Sequence, residues 1–224
     1  MKKLLTLPLC SLLACSQLKA EDRSEVSERL SNAAVVLKEI ANIPDKGIPK
    51  DLLDKCTCVA VIPSMKKGGF VVGGNYGKGA ISCRTKNGVG PWSSPSMLLI
   101  GGGSFGLQIG VEKAEVVLFF MNDRGARSLV ESKFTLGGKG SVAAGPVGRT
   151  AEAATDIKLN AEIYSYARTK GLFAGLSLEG AKLGPDKDAT NRFYGKPVEP
   201  MAVLFEHKVP ANPPSAQRFL AALP

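Results

Sequence analysis

From Cys56 to Met121 the apolar residues tend to recur at every second position, and glycines repeatedly interrupt the pattern. A period of two is typical of β-strands, whereas an amphipathic helix repeats every 3.6 residues. The chain has 25 glycines in 224 residues, without the regular spacing of collagen. Glycine within strands marks bends and close approaches of neighbouring backbones. The pattern therefore predicts a turn-rich sheet with closely packed strands. Within it, Ser64–Gly69 predicts a turn, and Gly77 and Gly79 predict the junction between two strands.

A second stretch of this kind, Ser141 to Ala181, combines small residues with alternating apolar positions. Its second half predicts a hairpin, with a turn at Thr169–Gly171 and a return strand from Leu172 to Leu183. The first strand should place Ile163, Ser165 and Ala167 on one side and Tyr164, Tyr166 and Arg168 on the other. We interpret this hairpin as scaffold rather than as an active site.

Ahead of the sheet, Glu21 to Ile40 has apolar residues at helical spacing and predicts an amphipathic helix. Membrane-surface helices usually have a mainly basic polar face. Here the polar face mixes both signs and carries Glu25, Glu28, Arg29, Lys38 and Glu39. We therefore predict that this helix packs on its own domain.

The fold class predicted is α+β: a glycine-rich antiparallel β-sheet curved into a barrel or sandwich, with an N-terminal amphipathic helix and short peripheral helices. We divide the chain into a signal peptide at 1–20, a domain at 21–195 and a proline-rich C-terminal extension at 196–224. Within the extension, Ala202–Phe205 predicts a strand and Ser215–Leu223 a terminal helix.

The first twenty residues have the composition of an export signal, because two lysines precede a short apolar run, Leu4 to Ala14. Leu12–Cys15 resembles the lipobox of bacterial lipoproteins, which predicts cleavage before Cys15 and acylation of its thiol. The alternative is cleavage after Ala20. We expect an exported, periplasm-facing lipoprotein of the outer membrane, or a soluble periplasmic or secreted protein if the second cleavage occurs.

Three cysteines follow the leader: Cys56, Cys58 and Cys83. An oxidising compartment permits one disulfide. Cys56 and Cys58 lie two apart on a predicted strand and form a poor pair, whereas Cys83 can reach either of them if their strands adjoin. The alternative is that all three are small buried apolar residues.

The motifs of common catalytic and cofactor sites do not hold up in this sequence. Gly101–Gly106 satisfies G-x-G-x-x-G, but the alternating residues after it predict a strand, not the helix whose N-terminus holds a pyrophosphate. The only histidine, His207, lies in the proline-rich tail, where we interpret it as a surface residue rather than a catalyst. We therefore predict no enzyme activity, no metal and no cofactor.

The net charge of the chain is +9, and +7 remains without Lys2 and Lys3. Such a surface attracts anionic partners such as a lipid membrane. Nucleic acid is disfavoured, because aromatic residues are few and the leader predicts export. The candidate lipid-binding residues are Lys66, Lys67, Lys78, Arg149, Arg168 and Lys170. The alternative is that the basic residues are scattered over an ordinary soluble surface and form no single patch.

Several sequence blocks occur together in an order that resembles one family. They include Lys67–Gly74 (KGGFVVGG), Gly101–Gly110 (GGGSFGLQIG), Ser141–Arg149 (SVAAGPVGR) and Gly171–Gly175 (GLFAG). On these blocks the chain resembles the SYLF domain family, over about Ser27 to Gly195.

The resemblance implies a β-rich domain that binds lipid and is not an enzyme. Eukaryotic members bind phosphoinositides, and some bind and bundle actin, with a membrane activity associated with an N-terminal amphipathic helix and basic residues. The matching helix here is Glu21 to Ile40, and Lys66 and Lys67 are the basic candidates. Because the leader predicts export, we expect neither actin nor phosphoinositides as partners.

The function predicted from sequence is therefore that of a non-enzymatic, lipid-binding envelope protein that recognises anionic headgroups. The alternative is a structural or protein-interaction module of the envelope. In that case an acylated Cys15 alone attaches it to the membrane, and its partner is another envelope protein.

Overall fold

The computed structural model describes residues 22–41, 48–69, 72–105, 110–131, 134–136, 142–146, 161–169, 172–176, 178 and 180–224. Nine strands lie in these ranges: β1 (Cys58–Gly69), β2 (Val72–Cys83), β3 (Ser96–Phe105), β4 (Gly110–Phe120), β5 (Phe134–Thr135), β6 (Val142–Ala144), β7 (Ile163–Thr169), β8 (Leu172–Gly175) and β9 (Lys182–Pro185). Seven helices accompany them: α1 (Arg23–Ala41), α2 (Lys50–Lys55), α3 (Thr85–Gly88), α4 (Asp123–Glu131), α5 (Lys187–Tyr194), α6 (Pro200–Leu204) and α7 (Pro214–Leu220).

The strands form one sheet in the order β5-β9-β3-β2-β1-β4-β7-β6, and β8 pairs separately with β7. Among the described strands, every pairing is antiparallel except that of β6 with β7. The sheet curls into a half-barrel with the N-terminal helix and short helices around it. The predicted α+β class and its curved, mainly antiparallel sheet are confirmed.

Both faces of the sheet are covered by helices. In β1, Val59 and Val61 belong to a buried cluster with α1, α5 and α7, which we call the first cluster. The alternate residues Cys58, Ala60 and Ile62 belong to the second cluster, with α4 and α6. Successive side chains of a strand point to opposite faces, so a strand covered on both sides must be apolar at nearly every position. The runs Val59–Ile62 and Val116–Phe120 meet this need.

Helix α1 follows the predicted range, and it packs on its own domain as predicted. Its buried residues include Val26, Leu30 and Leu37, all in the first cluster. The prediction was wrong for Arg29, which is buried at the edge of the apolar face and not on the exposed polar face. No helix within the described ranges is long and apolar enough to cross a membrane.

The structure corrects the turn and the strand junction predicted in the glycine-rich stretch between Ser64 and Gly79. Ser64–Gly69, predicted as a turn, belongs to β1. Gly77 and Gly79, predicted as a junction between two strands, lie inside the single strand β2. A glycine is needed inside the strand at position 79 because β1 has a bulge between Val61 and Ser64. The bulge brings the backbone of β1 so close to β2 that a side chain at position 79 would collide with the carbonyl group of Val61.

The predicted hairpin after residue 162 is confirmed in part. Its two faces are as predicted, since Tyr164 and Tyr166 lie in the first cluster and Ile163 in the second. The return strand, β8, is shorter than predicted, because β6 pairs with residues 163–165 on the edge that a longer return would occupy. The last two residues of the predicted strand, Lys182 and Leu183, begin a separate strand, β9, which pairs with β3 and β5.

The segment 196–224 packs against the same core. Ala202–Phe205, predicted as a strand, lies largely in the helix α6, whose first turn begins with Pro200. The predicted terminal helix is confirmed as α7, and its Phe219 is buried in the first cluster. The hydroxyl of Ser94 donates to the carbonyl of Val209, which ties the connection between these helices to the segment that leads into β3.

Cys58 and Cys83 lie directly opposite each other on β1 and β2 and form a disulfide. The sequence left open whether Cys83 pairs with Cys56 or with Cys58, and the structure contains the second pairing. Cys56 precedes β1, instead of sharing a strand face with Cys58, and is a buried free thiol in the first cluster. Burial raises the pKa of this thiol to about 12.

Candidate functional site

The strand register places four residues in one row across the sheet. Lys66 of β1 lies between Tyr76 of β2 and Lys113 of β4, and Tyr76 in turn lies opposite Gly101 of β3. Directly opposed residues of antiparallel strands share a face of the sheet. Both lysines are exposed.

This row lies on the α1 face because of the bulge in β1. Before the bulge, Ile62 faces the second cluster, and after it Met65 faces the same cluster three positions later. Strict alternation from Ile62 would have sent Lys66 to that face as well. The extra residue reverses the alternation and brings Lys66 to the face that Val59 and Val61 share with α1.

Lys78 lies two positions after Tyr76 on the same face of β2, and it joins Lys66 in a cleft between the first half of α1 and strands β1 and β2. We call Lys66, Lys78 and Lys113 the lysine cluster. The cleft encloses about 310 Å³. It is lined by Glu25, Glu28, Arg29, Asn32, Pro63, Ser64, Lys66, Tyr76, Gly77 and Lys78.

The charges of the cleft are mixed, with the cations on the sheet and on the buried part of α1. Burial lowers the pKa of the Arg29 guanidinium, and the nearby charge of Asp186 acts in the opposite direction. Glu25 and Glu28 extend from exposed positions of α1. The lysines on the sheet, with a phenol ring beside them, can attract a phosphate or carboxylate group. The two glutamates limit how closely such an anion approaches α1.

Arg168 lies next to the Lys113 end of the row, near the C-terminal end of α1, because its register partner Glu115 is two positions after Lys113 on the same face of β4. Its guanidinium forms ion pairs with Glu115 of the neighbouring strand β4 and with Glu39 of α1. Hydrogen bonds to these carboxylates raise the pKa of Arg168, Glu115 having the larger effect. Its charge is therefore engaged in holding α1 on the sheet.

The other predicted residues are placed less fully. Lys67 lies in β1, and its register partners on the neighbouring strands are Asn75 of β2 and Glu112 of β4. Arg149, Lys170 and Cys15 fall outside the described residues. The lipid-binding role of all these residues stays a prediction.

Sequence reasoning missed two members of the row, Lys113 and Tyr76. The available signal was register: once β1 is paired with β2 and β4, these residues must flank Lys66. The sequence alone gives no pairing for β4, because its partner on one side is β7, more than forty residues later. In the part of the chain that the structure describes, no three potential metal ligands of the His, Cys, Asp or Glu type come together.

Comparison of the sequence with known proteins assigns the chain to a family. Residues 101–224 match the model of the Ysc84 family, described as Las17-binding protein actin regulator. The SH3 domain-containing YSC84-like protein 1 of Xenopus laevis is 37% identical over 187 residues, which cover 81% of this chain and 52% of that protein. The human protein of that name is 34% identical over 188 residues, covering 81% of this chain and 54% of the relative.

The LAS seventeen-binding protein 3 of Saccharomyces cerevisiae is 38% identical over 154 residues, or 67% of this chain and 33% of its own length. This chain spans about half the length of the vertebrate relatives and a third of the yeast one. The family match includes the C-terminal helices that pack on the core. The chain thus belongs to the Ysc84 family, the SYLF domain family that its glycine-rich blocks resemble.

Proposed function

We propose that this protein binds anionic lipid headgroups at a membrane surface, with the lysine cluster as the contact. The observation that carries the proposal is the convergence of Lys66, Lys78 and Lys113 from three neighbouring strands onto one face. Each lysine near an anionic leaflet contributes on the order of 1 kcal/mol. Three lysines on a rigid sheet can bind together with little loss of backbone entropy, because the strands already fix their backbones before binding.

The proposal extends to location. The leader supports export and acylation of Cys15, so that the protein is held on the periplasmic side of a bacterial membrane. Multiple acyl chains at Cys15 would anchor it without help from the domain, since each buried methylene contributes about 0.8 kcal/mol. The role of the lysine cluster would then be to orient the anchored domain against the headgroups.

Relatives with longer chains are named for a binding partner or for an SH3 domain. The family description names an actin regulator. An exported domain would not meet actin, so for this chain we favour the lipid rather than the cytoskeletal partner. Hence the net charge and the lysine cluster are the features on which the proposal depends.

The test is flotation of residues 21–224 on liposomes of graded anionic lipid content at two salt concentrations. This piece contains both buried clusters and lacks the acyl anchor. We expect flotation that rises with anionic lipid and falls with salt, because screening shortens the range of the attraction. The double variant Lys66→Glu with Lys113→Glu should float least.

A matched control changes the same net charge elsewhere, at Lys50 of α2 and Lys208 of the α6–α7 connection, both exposed. If both double variants lose flotation equally, total charge and not the lysine cluster is responsible. Absence of flotation from the parent chain in every condition would contradict the proposal. Crosslinking in the envelope would then test the alternative, a protein-interaction module attached only through Cys15.

A further inference from the structure

Tyr76 is one of three large apolar side chains that the described part of the chain exposes, together with Val35 and Val89. Half of its surface, 50%, is open to solvent. It differs from the other two by its place, because it lies within the row of the lysine cluster and lines the same cleft.

The strand neighbours of Tyr76 explain why its ring is uncovered. On one side its register partner is Gly101, where an added Cβ would lie 3.7 Å from Cδ2 of the tyrosine. Glycine there leaves the ring without a cross-strand side chain to shield it. On the other side its register partner is the exposed Lys66, whose charged end can extend into solvent.

This combination matches the chemistry of a bilayer interface. A tyrosine ring has an apolar body and a polar hydroxyl, and such rings concentrate at the level of the lipid headgroups. Adjacent strands lie about 4.8 Å apart, so the amino groups beside the ring can reach phosphates while the ring enters the layer below them. Lysines beside an aromatic ring thus complement an anionic leaflet in both charge and polarity.

We infer that Tyr76 inserts into the lipid–water interface of an anionic membrane, as an aromatic anchor beside the lysines of the cluster. This inference rests on the proposed lipid-binding function and adds that binding has an apolar as well as an electrostatic component. The apolar component persists when salt screens the lysines, because burial of a ring from water is not an ionic effect.

The first experiment places a reporter at the ring. Tyr76→Trp in residues 21–224 adds a second indole to the single tryptophan of the chain. On vesicles with anionic lipid, the added emission should shift to shorter wavelength and be quenched by lipids brominated close to the headgroup. The control is Val89→Trp, at a more exposed position (71%) beyond the opposite end of β2. Its emission should stay that of an indole in water.

The second experiment removes the ring. Tyr76→Ala should weaken vesicle binding about fivefold and make the remaining binding more sensitive to salt, whereas Tyr76→Phe retains most of the affinity. A thermal melt of each variant checks that the sheet is intact. Because the side chain is half exposed, we expect similar transitions.

The possible results separate the two ideas. Vesicle binding with unshifted Tyr76→Trp emission, or with full affinity in Tyr76→Ala, would overturn the insertion and leave headgroup binding in place. If the parent chain binds no vesicles, the proposed function fails and the insertion with it. A shift of the control indole equal to that of Tyr76→Trp would also overturn the assignment, since contact would then not be confined to this row.

Discussion

Gly79 of β2 lies beneath the carbonyl group of Val61 in β1, so close that an added Cβ would sit 2.1 Å from the carbonyl oxygen. The contact falls at the bulge of β1, where the ladder between the two strands shifts register. Ladder and bulge are therefore compatible only with a residue that has no side chain at position 79.

Gly79→Ala should destabilise the protein by about 2 to 3 kcal/mol, because the backbone of Val61 must move to admit a methyl group. Urea unfolding followed by circular dichroism measures this difference. Gly74→Ala on the same strand is the control, since the nearest atom to its added Cβ is 3.7 Å away. Equal stability of the two variants would show that β1 and β2 do not approach in this way.

Reduction of the Cys58–Cys83 disulfide should lower the free energy of unfolding by about 3 kcal/mol, since the bond closes a loop across 25 residues. Urea unfolding with and without dithiothreitol gives the value. In the double variant Cys58→Ala with Cys83→Ala, the reductant should change nothing. A parent chain whose unfolding is indifferent to the reductant would contradict the pairing.

Cys56 should make stability depend on alkaline pH. Burial raises the pKa of its thiol from 9.0 to about 12 in the folded chain, so the fold favours the protonated form. Its contribution is complete below pH 9 and is lost as the pH rises towards 12. Between these limits the parent should lose stability more steeply with pH than Cys56→Ala, as urea midpoints would reveal.

Iodoacetamide labelling offers an independent check on the same thiol. At pH 8.5 the buried Cys56 should react slowly in the folded chain and rapidly in urea, because alkylation needs the thiolate and access to it. Mass spectrometry after a timed quench counts the adducts. Rapid labelling without denaturant would mean that the thiol is open to solvent.

Arg168→Met should cost about 1 to 2 kcal/mol, because Glu39 and Glu115 would be left together without their shared counter-charge. The arginine side chain is 21% exposed, so solvent screens the pairs only in part. Lys187→Met breaks the more exposed pair with Glu199 and should change stability by less than about 0.5 kcal/mol. Raising the salt concentration should reduce the difference in unfolding free energy between the two variants, because salt screens the repulsion between Glu39 and Glu115.

Much of the fold follows from local pattern. Helical spacing predicts α1, and alternation predicts both faces of β7. The errors occur where a distant contact overrides the local signal: Gly77 and Gly79 indicate a turn by composition, yet the bulge of β1 requires them inside a strand. Likewise Ala202–Phe205 is apolar enough for a strand, but Pro200 starts a helix that buries Val203 and Leu204.

The candidate site was less accessible from sequence. Charge alone indicates Lys66 and Lys78 as candidates, and these two residues do share a cleft. It also indicates Arg168, whose guanidinium forms ion pairs with two carboxylates on other elements. Which basic side chains share a cleft, and which form ion pairs, depends on pairings between distant strands and on α1. Composition and spacing contain no measure of such neighbours.

The bulge of β1 also determines which face of the sheet Lys66 occupies, whatever the chemical character of residues 62–64. Deletion of one residue there would remove the bulge and leave Lys66 on the α1 face, because Met65 would then follow Ile62 by two positions and still face the second cluster. A regular strand with the full number of residues would instead carry Lys66 to the face that α4 and α6 cover, where the cation would meet an apolar layer. In a homologue, the number of residues between Val61 and the following lysine would therefore assign that lysine to one side of the sheet only together with the presence or absence of the bulge.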